Sequence, residues 1–240
     1  MSRSGERSYQ RPLETCAKYV RIPLMLPSNT TQLTRVAIMG GTFDPIHYGH
    51  LAAADEVAEH YGLEQVIFIP SAQPPHKKDY QVTPAEDRYL MTVLATNSNP
   101  RFTVSRLELD RPGPSYTIDT LRELHRALGP QCELFFITGA DAVLEIVTWR
   151  EADAVLQEAH FLAVHRPGYD LSKLAAAIGE EKAARIEPFG LRGLDISSTD
   201  LRARAAAGRS LRYLTPDAVI DYIRGHGLYG HPDGQKPGLR

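Results

Sequence analysis

Short apolar runs alternate along this chain with longer stretches in which apolar residues return every three or four positions. The runs fall at 36–39, 66–70, 102–105, 133–138, 160–165 and 185–188, each the length of one buried strand. The stretches at 51–61, 84–95, 118–128, 140–146, 151–157 and 171–178 carry helical spacing with one apolar face. Strand and helix in alternation predict an α/β fold, a three-layer, Rossmann-like parallel sheet with helices on both faces. In such sheets ligands bind beyond the carboxyl ends of the strands, where the strand order reverses. No internal repeat breaks the pattern.

The two ends depart from it. Residues 1–34 are rich in Arg, Ser and Thr without a sustained period, which predicts a disordered N-terminal extension. The apolar stretch at 22–26 is too short for a secretory signal and is cut by Pro23, while Glu6 and Glu14 speak against an organelle transit segment. Met25 is a second plausible start. Residues 231–240, with Pro232, Gly234, Pro237 and Gly238, read as a disordered tail, leaving 35–230 as the folded domain.

Composition narrows the classes of function. A net charge of −2 supplies no basic field for a polyanion, so a nucleic-acid partner is not expected. No stretch reaches the length of a membrane span, and Cys16 and Cys132 make no disulfide framework. Cys132 is expected as a buried apolar thiol in a strand. These features describe a cytoplasmic enzyme, with homo-oligomerisation left open.

The candidate chemistry begins where the first apolar run meets Gly40-Gly41-Thr42-Phe43-Asp44-Pro45-Ile46-His47-Tyr48-Gly49-His50. The double glycine breaks the strand, and the alanine-rich helical stretch follows at once. Two histidines three apart at a helix start share a face, so both imidazoles can address one point. Gly49 between them leaves room for a ligand to approach the backbone. The helix start adds unpaired N–H groups and a positive dipole end, which suits phosphate. A second cluster, Leu194-Asp195-Ile196-Ser197-Ser198-Thr199-Asp200-Leu201-Arg202-Ala203-Arg204, reads as another helix start, with Ser197, Ser198 or Thr199 as cap. Its hydroxyls and Arg202 could serve one anion, whereas Arg204 faces elsewhere and is expected to be solvated.

The first motif resembles the signature of the H-x-G-H nucleotidyltransferase superfamily, and within it the bacterial nicotinate mononucleotide adenylyltransferases. Ile196-Ser197-Ser198-Thr199 with Arg202 resembles that family's second phosphate motif. The resemblance covers residues 35–228 with the motifs in order. It implies His47, His50 and Arg202 as catalytic residues. It also implies an ATP site of Gly40, Gly41, Thr42, Phe43, His47, His50, Gly139, Asp141, Arg166, Ser198, Thr199 and Arg202. Asp141 would accept from ribose hydroxyls, and His165-Arg166-Pro167-Gly168 would border adenine. For the acceptor nucleotide it implies His76 and Lys77 on the phosphate, with Lys77 the stronger contact. The N–H groups of Tyr116 and Thr117 would meet the ring carboxylate, in a turn capped by Ser115 or Thr117, and Trp149 would stack on the pyridine.

The implied reaction moves the adenylyl group of ATP to nicotinate mononucleotide, giving the deamido dinucleotide and pyrophosphate. Both substrates are small molecules. Mg2+ would ride on the ATP phosphates with no dedicated protein site, and the sequence carries no zinc-type spacing. The rival acceptors are nicotinamide mononucleotide and phosphopantetheine. A class I aminoacyl-tRNA synthetase fragment fits less well, because the Lys-rich second signature is missing. A non-catalytic nucleotide sensor would not need His47, His50, Ser198 and Arg202 together.

Overall fold

The computed structural model describes residues 33–73, 82–165, 172–191 and 195–230. Six parallel strands form one sheet: β1 (Arg35–Gly41), β2 (Gln65–Pro70), β3 (Phe102–Val104), β4 (Glu133–Gly139), β5 (His160–His165) and β6 (Ile186–Gly190). Their order is β3-β2-β1-β4-β5-β6, so the direction of winding reverses between β1 and β4. Helices cover the sheet in three layers: α1 (Tyr48–His60), α2 (Ala85–Thr96), α3 (Leu107–Asp110), α4 (Thr117–Leu128), α5 (Ala140–Val143), α6 (Ala152–Glu158), α7 (Ser172–Ile178), α8 (Glu180–Ala183), α9 (Ser198–Ala206) and α10 (Asp217–Gly225).

The central strands show why the apolar runs are unbroken. Val36, Ala37 and Ile38 of β1, Val66 to Ile69 of β2 and Leu134 to Ile137 of β4 are all buried. A parallel strand covered on both faces has no wet side to alternate towards. The edges are weaker: β3 is half-buried throughout, and in β6 only Ile186 is buried. Helix α4 is a one-sided element, with Ile118, Leu121, Leu124 and Leu128 turned into the core.

All six strand expectations meet an observed strand, and the differences lie at boundaries. The first helix begins at Tyr48, three residues before its apolar period becomes visible. The single helix expected over 140–146 is instead α5 followed by a 3₁₀ turn at Ile146–Thr148. Cys132 is buried in the turn that precedes β4, not in the strand. Helix α10 was not expected, although it buries Val219, Ile220 and Ile223 with helical spacing. Thr34 lies in the stretch read as leader, yet Glu64 accepts from its N–H at 2.9 Å and from its hydroxyl at 2.6 Å. The remaining expectations for the two ends fall outside the described residues. Among the described residues, no helix is long and apolar enough to cross a membrane.

Candidate active site

The loop leaving β1 is held at its carbonyls by side chains from elsewhere in the fold. Arg88 of α2 donates to Thr42 O at 2.7 Å, and Arg202 of α9 to Asp44 O at 2.8 Å. Ser198 donates to Pro45 O at 2.9 Å, and the buried Thr215 hydroxyl to Ile46 O at 2.8 Å. Such a loop makes no ladder of its own, so each acceptor finds a partner outside it. Phe43 sits buried at φ 48°, a left-handed conformation that a bulky residue adopts only under constraint. A side chain at Gly41 would come within 3.1 Å of the Phe43 ring. A Cβ at 41 would therefore crowd the buried Phe43 ring, independently of any ligand.

His47 caps α1, and His50 lies three residues on with its ring stacked on that of His47, centroids 3.7 Å apart. The His47 N–H donates to Nδ1 of His50 at 3.3 Å. That bond assigns the His50 proton to Nε2, the nitrogen on the far side of the ring. Phe43 meets the same ring edge-on at 5.1 Å. Burial, and then the neighbouring His47, hold the His50 pKa well below the ordinary value, so its imidazole is neutral at pH 7. Gly49 serves this pair directly. A side chain there would approach the His47 ring to 3.0 Å, so a glycine at 49 also gives that ring its room.

Helix α9 brings the second cluster against the same loop. Ser197 is the cap, its hydroxyl accepting from Asp200 N at 3.2 Å. The single hydroxyl proton of Ser198 is given to Pro45, so towards an anion it can offer its backbone N–H. Thr199 Oγ1 accepts from Arg202 at 3.2 Å and keeps its own proton to donate. Arg204, expected to be solvated, pairs with Asp200 at 2.6 Å on the partly exposed side of the helix.

Beyond the ends of β1 and β4 opens a cleft of about 590 Å³. Gly40, Gly41, Thr42, Tyr116, Thr117, Asp141 and Trp149 all line it. Tyr116, rather than Ser115 or Thr117, is the cap of α4, with extended backbone at φ −106°, ψ 130°; Thr117 is the first helical residue. Ser115 instead ties this turn to the end of β2: its hydroxyl accepts from Ala72 N at 3.1 Å, and its N–H donates to Gln73 O at 3.3 Å. Trp149 is half-buried, edge-on to Phe136 at 6.2 Å, and is a wall of the cleft, not a core anchor. The Arg150 guanidinium lies 5.0 Å over the Tyr116 ring. Gly139 ends β4 at an exposed position but is not among the lining residues. His76, Lys77 and Arg166 lie outside the described residues.

Three residues of this region were missed in the sequence. Arg88 is almost fully buried and donates to four carbonyls, those of Thr42, Ser71, Ala72 and Thr83. The signal was there: Arg88 precedes Met91, Thr92 and Ala95 on the buried face of α2, where an arginine must be satisfied by specific partners. Asp44 is also buried, accepting from the Tyr229 hydroxyl at 2.7 Å and from Thr83 N at 3.2 Å. Glu108, on the cleft wall, is buried in α3. A larger groove of about 810 Å³, lined by Glu133, Glu158 and Glu187 among others, sits at the opposite end of β4 to β6. The smaller cleft is the better candidate, because it alone lies at the reversal in strand order and holds the glycine loop.

Comparison with known proteins agrees with this placement. Residues 38–204 match the cytidylyltransferase-like family. The chain is 54% identical over 202 residues to the "Probable nicotinate-nucleotide adenylyltransferase" of Moorella thermoacetica, covering 83% of this chain and 93% of that one. It is 52% identical over 206 residues to the protein of the same name from Corynebacterium kroppenstedtii, covering 86% and 95%. Among solved structures, the Plasmodium falciparum nicotinic acid mononucleotide adenylyltransferase complexed with NaAD superposes with a TM-score of 0.66 at 20% identity. That match covers 82% of this chain and 98% of the other, and at this identity it speaks for the fold. Matched along nearly the whole length of such relatives at above half identity, this chain belongs to the nicotinate-nucleotide adenylyltransferase family of the cytidylyltransferase-like proteins.

Proposed function

We propose that the cleft transfers the adenylyl group of ATP to nicotinate mononucleotide. The observation that carries this reading is the convergence of the His47–His50 pair and the α9 cluster on one loop, beside a cleft walled by Trp149 and the first turn of α4. The acceptor phosphate attacks the α-phosphorus of ATP, one P–O bond forms, and the bond to the bridging oxygen of pyrophosphate breaks. A phosphate is already nucleophilic near neutral pH, so the work is alignment and charge stabilisation. In this reading His47 and His50 meet the phosphates as hydrogen-bond donors, His50 in its neutral form, and Arg202, Thr199 and the α9 N–H groups take the leaving end of the triphosphate. Gly40, Gly41, Thr42 and Phe43 shape the ATP side. Asp141 and Gly139 border the ribose, and Arg166 the adenine. Tyr116, Thr117 and Trp149 hold the acceptor ring, with His76 and Lys77 on its phosphate.

Mg2+ fits as a passenger on ATP. The phosphate motifs present neutral or cationic donors, and both oxygens of the buried Asp44 are already engaged. Bound to the triphosphate, the ion would neutralise charge on the departing pyrophosphate. Residues 35–230 are proposed as the catalytic unit, in the cytoplasm. Removal of residues 1–29 should leave melting temperature and turnover unchanged, and loss of soluble protein would overturn that boundary.

Pyrophosphate release with magnesium-ATP and a panel of acceptors tests the function. Nicotinate mononucleotide should be the best of the three, ahead of nicotinamide mononucleotide and phosphopantetheine; a better rate with phosphopantetheine would refute the reading. Arg202→Ala should raise the KM for ATP by roughly tenfold or more, the scale of a lost charged hydrogen bond, with a smaller change for the mononucleotide. If the acceptor KM rises instead, the two phosphate sites are exchanged.

A further inference from the structure

We propose that Glu108 is a specificity residue of the acceptor pocket, and that the acid-bearing pyridine ring binds with uptake of one proton onto its Oε2. This rests on the reading of the cleft as the mononucleotide site. Glu108 is 7% exposed and shares the cleft wall with Ser115, Tyr116 and Thr117, the turn assigned to the ring carboxylate. Its two oxygens are not equivalent. Oε1 accepts from the Thr120 hydroxyl at 2.7 Å, and Thr120 in turn accepts from Arg111 at 2.8 Å. Oε2 is buried and meets no donor in full hydrogen-bond geometry, although the Ser115 and Ser71 hydroxyls stand close enough to favour the charged carboxyl. A carboxylate oxygen left so is costly, and a native structure keeps such a group for a reason.

Thr120 stands one helical turn beyond Thr117, so the Glu108 carboxyl lies within about one or two turns' rise, roughly 5–10 Å, of the N–H groups that would receive the ring carboxylate. Two carboxylates at that separation, one of them buried, cannot both stay ionised without penalty. Oε1 is fixed as an acceptor by Thr120, so the incoming proton goes to Oε2. The resulting O–H has one acceptor to find, and the ligand brings it, directly or through one water. Burial already pushes the Glu108 carboxyl above its usual range, against the pull of the Thr120, Ser115 and Ser71 hydroxyls and of Arg111. The other charged groups bearing on it are Glu123, paired with Arg111 at 3.2 Å, and Asp141, Glu145 and Arg150 across the cleft.

The consequence is a pH dependence that separates acid from amide. Above the titration of the free Glu108, each bound acid must recruit a proton, so its affinity falls by up to tenfold per pH unit until the bound-state titration is passed. The amide recruits none. The acceptor's phosphate also titrates, near pH 6, but it is common to both ligands and cancels in the ratio.

The test is calorimetric binding of the two mononucleotides to the full chain between pH 6 and 9, each in two buffers of different ionisation enthalpy. The expected result is more proton uptake with the acid than with the amide, by up to one proton, and an acid-to-amide affinity ratio that declines as pH rises. In Glu108→Gln the difference should vanish, and the acid should bind at pH 9 at least as tightly as to the unaltered chain, which mere structural damage would not produce. Equal proton counts for the two ligands in the unaltered chain overturn the proposal even if the Gln variant does not fold. The same excess uptake persisting in Glu108→Gln also overturns it. If neither mononucleotide binds, the assignment of the cleft itself fails and takes this proposal with it.

Discussion

His50→Ala should lower turnover by about a hundredfold or more with both substrates saturating, while leaving the KM values within a few-fold. That is the scale on which a single preorganised donor acts when charge moves onto phosphoryl oxygens. The bond from the His47 N–H to Nδ1 keeps the His50 proton on Nε2, and the stack on His47 and the edge contact with Phe43 fix the direction in which it points. A group held that firmly costs little reorganisation at the moment of reaction. The lowered pKa of His50 has a sign that can be tested. The neutral donor persists from below pH 6.5 upwards, so turnover should show no alkaline loss from this residue. The unfolded chain takes up its proton near pH 6.5, whereas the folded chain resists until lower pH. His50 therefore makes the fold less stable as pH falls below about 6.5. Unchanged turnover in His50→Ala would remove it from the transition state, and a pH profile with a basic limb that the Ala variant loses would restore a protonated role.

How far the site could be read from the sequence depends on where its signals lie along the chain. The strands were visible because central parallel strands are buried on both faces, and Val36 to Met39 or Phe161 to Ala163 can hardly be anything else. The histidine pair was visible because a helix start places residues three apart on one face. The partners of Arg88, Asp44 and Glu108 were not, because they lie up to 185 residues away or line a cleft that exists only after folding; for Arg88 the helical pattern tells of burial alone. The split of 140–146 into α5 and a 3₁₀ turn also escaped, since a short apolar run does not reveal which way a turn tightens. At Gly49 the structure adds a neighbour the sequence does not show, the His47 ring two positions away, which a Cβ there would approach to 3.0 Å.

At pH 7 the acid mononucleotide should be preferred over its amide by tenfold to over a hundredfold in kcat/KM. Tyr116 caps α4 with extended backbone, so the N–H groups of the first helical residues, beginning at Thr117, have no carbonyl behind them within the helix. They stand at the positive end of the helix dipole; the Arg150 guanidinium lies over Tyr116 on the same wall, its charge shared with Asp119 at 3.6 Å and Glu151 at 3.7 Å. A carboxylate presents only acceptors to such an array, and its hydrogen bonds are charge-assisted. An amide must turn its NH₂ towards part of it, setting donor against donor. A buried donor left unmatched costs about 1–3 kcal/mol, which gives the expected range. Trp149 cannot be the source of this choice, because its indole would face either ring almost equally. Trp149→Ala should therefore weaken both acceptors by similar factors and leave their ratio intact. Side-by-side kinetics with the two mononucleotides in the unaltered chain and in Trp149→Ala decide the point. Equal efficiencies in the unaltered chain would mean that the turn before α4 does not read the ring substituent, and a ratio that collapses with Trp149 would move the selectivity to the indole.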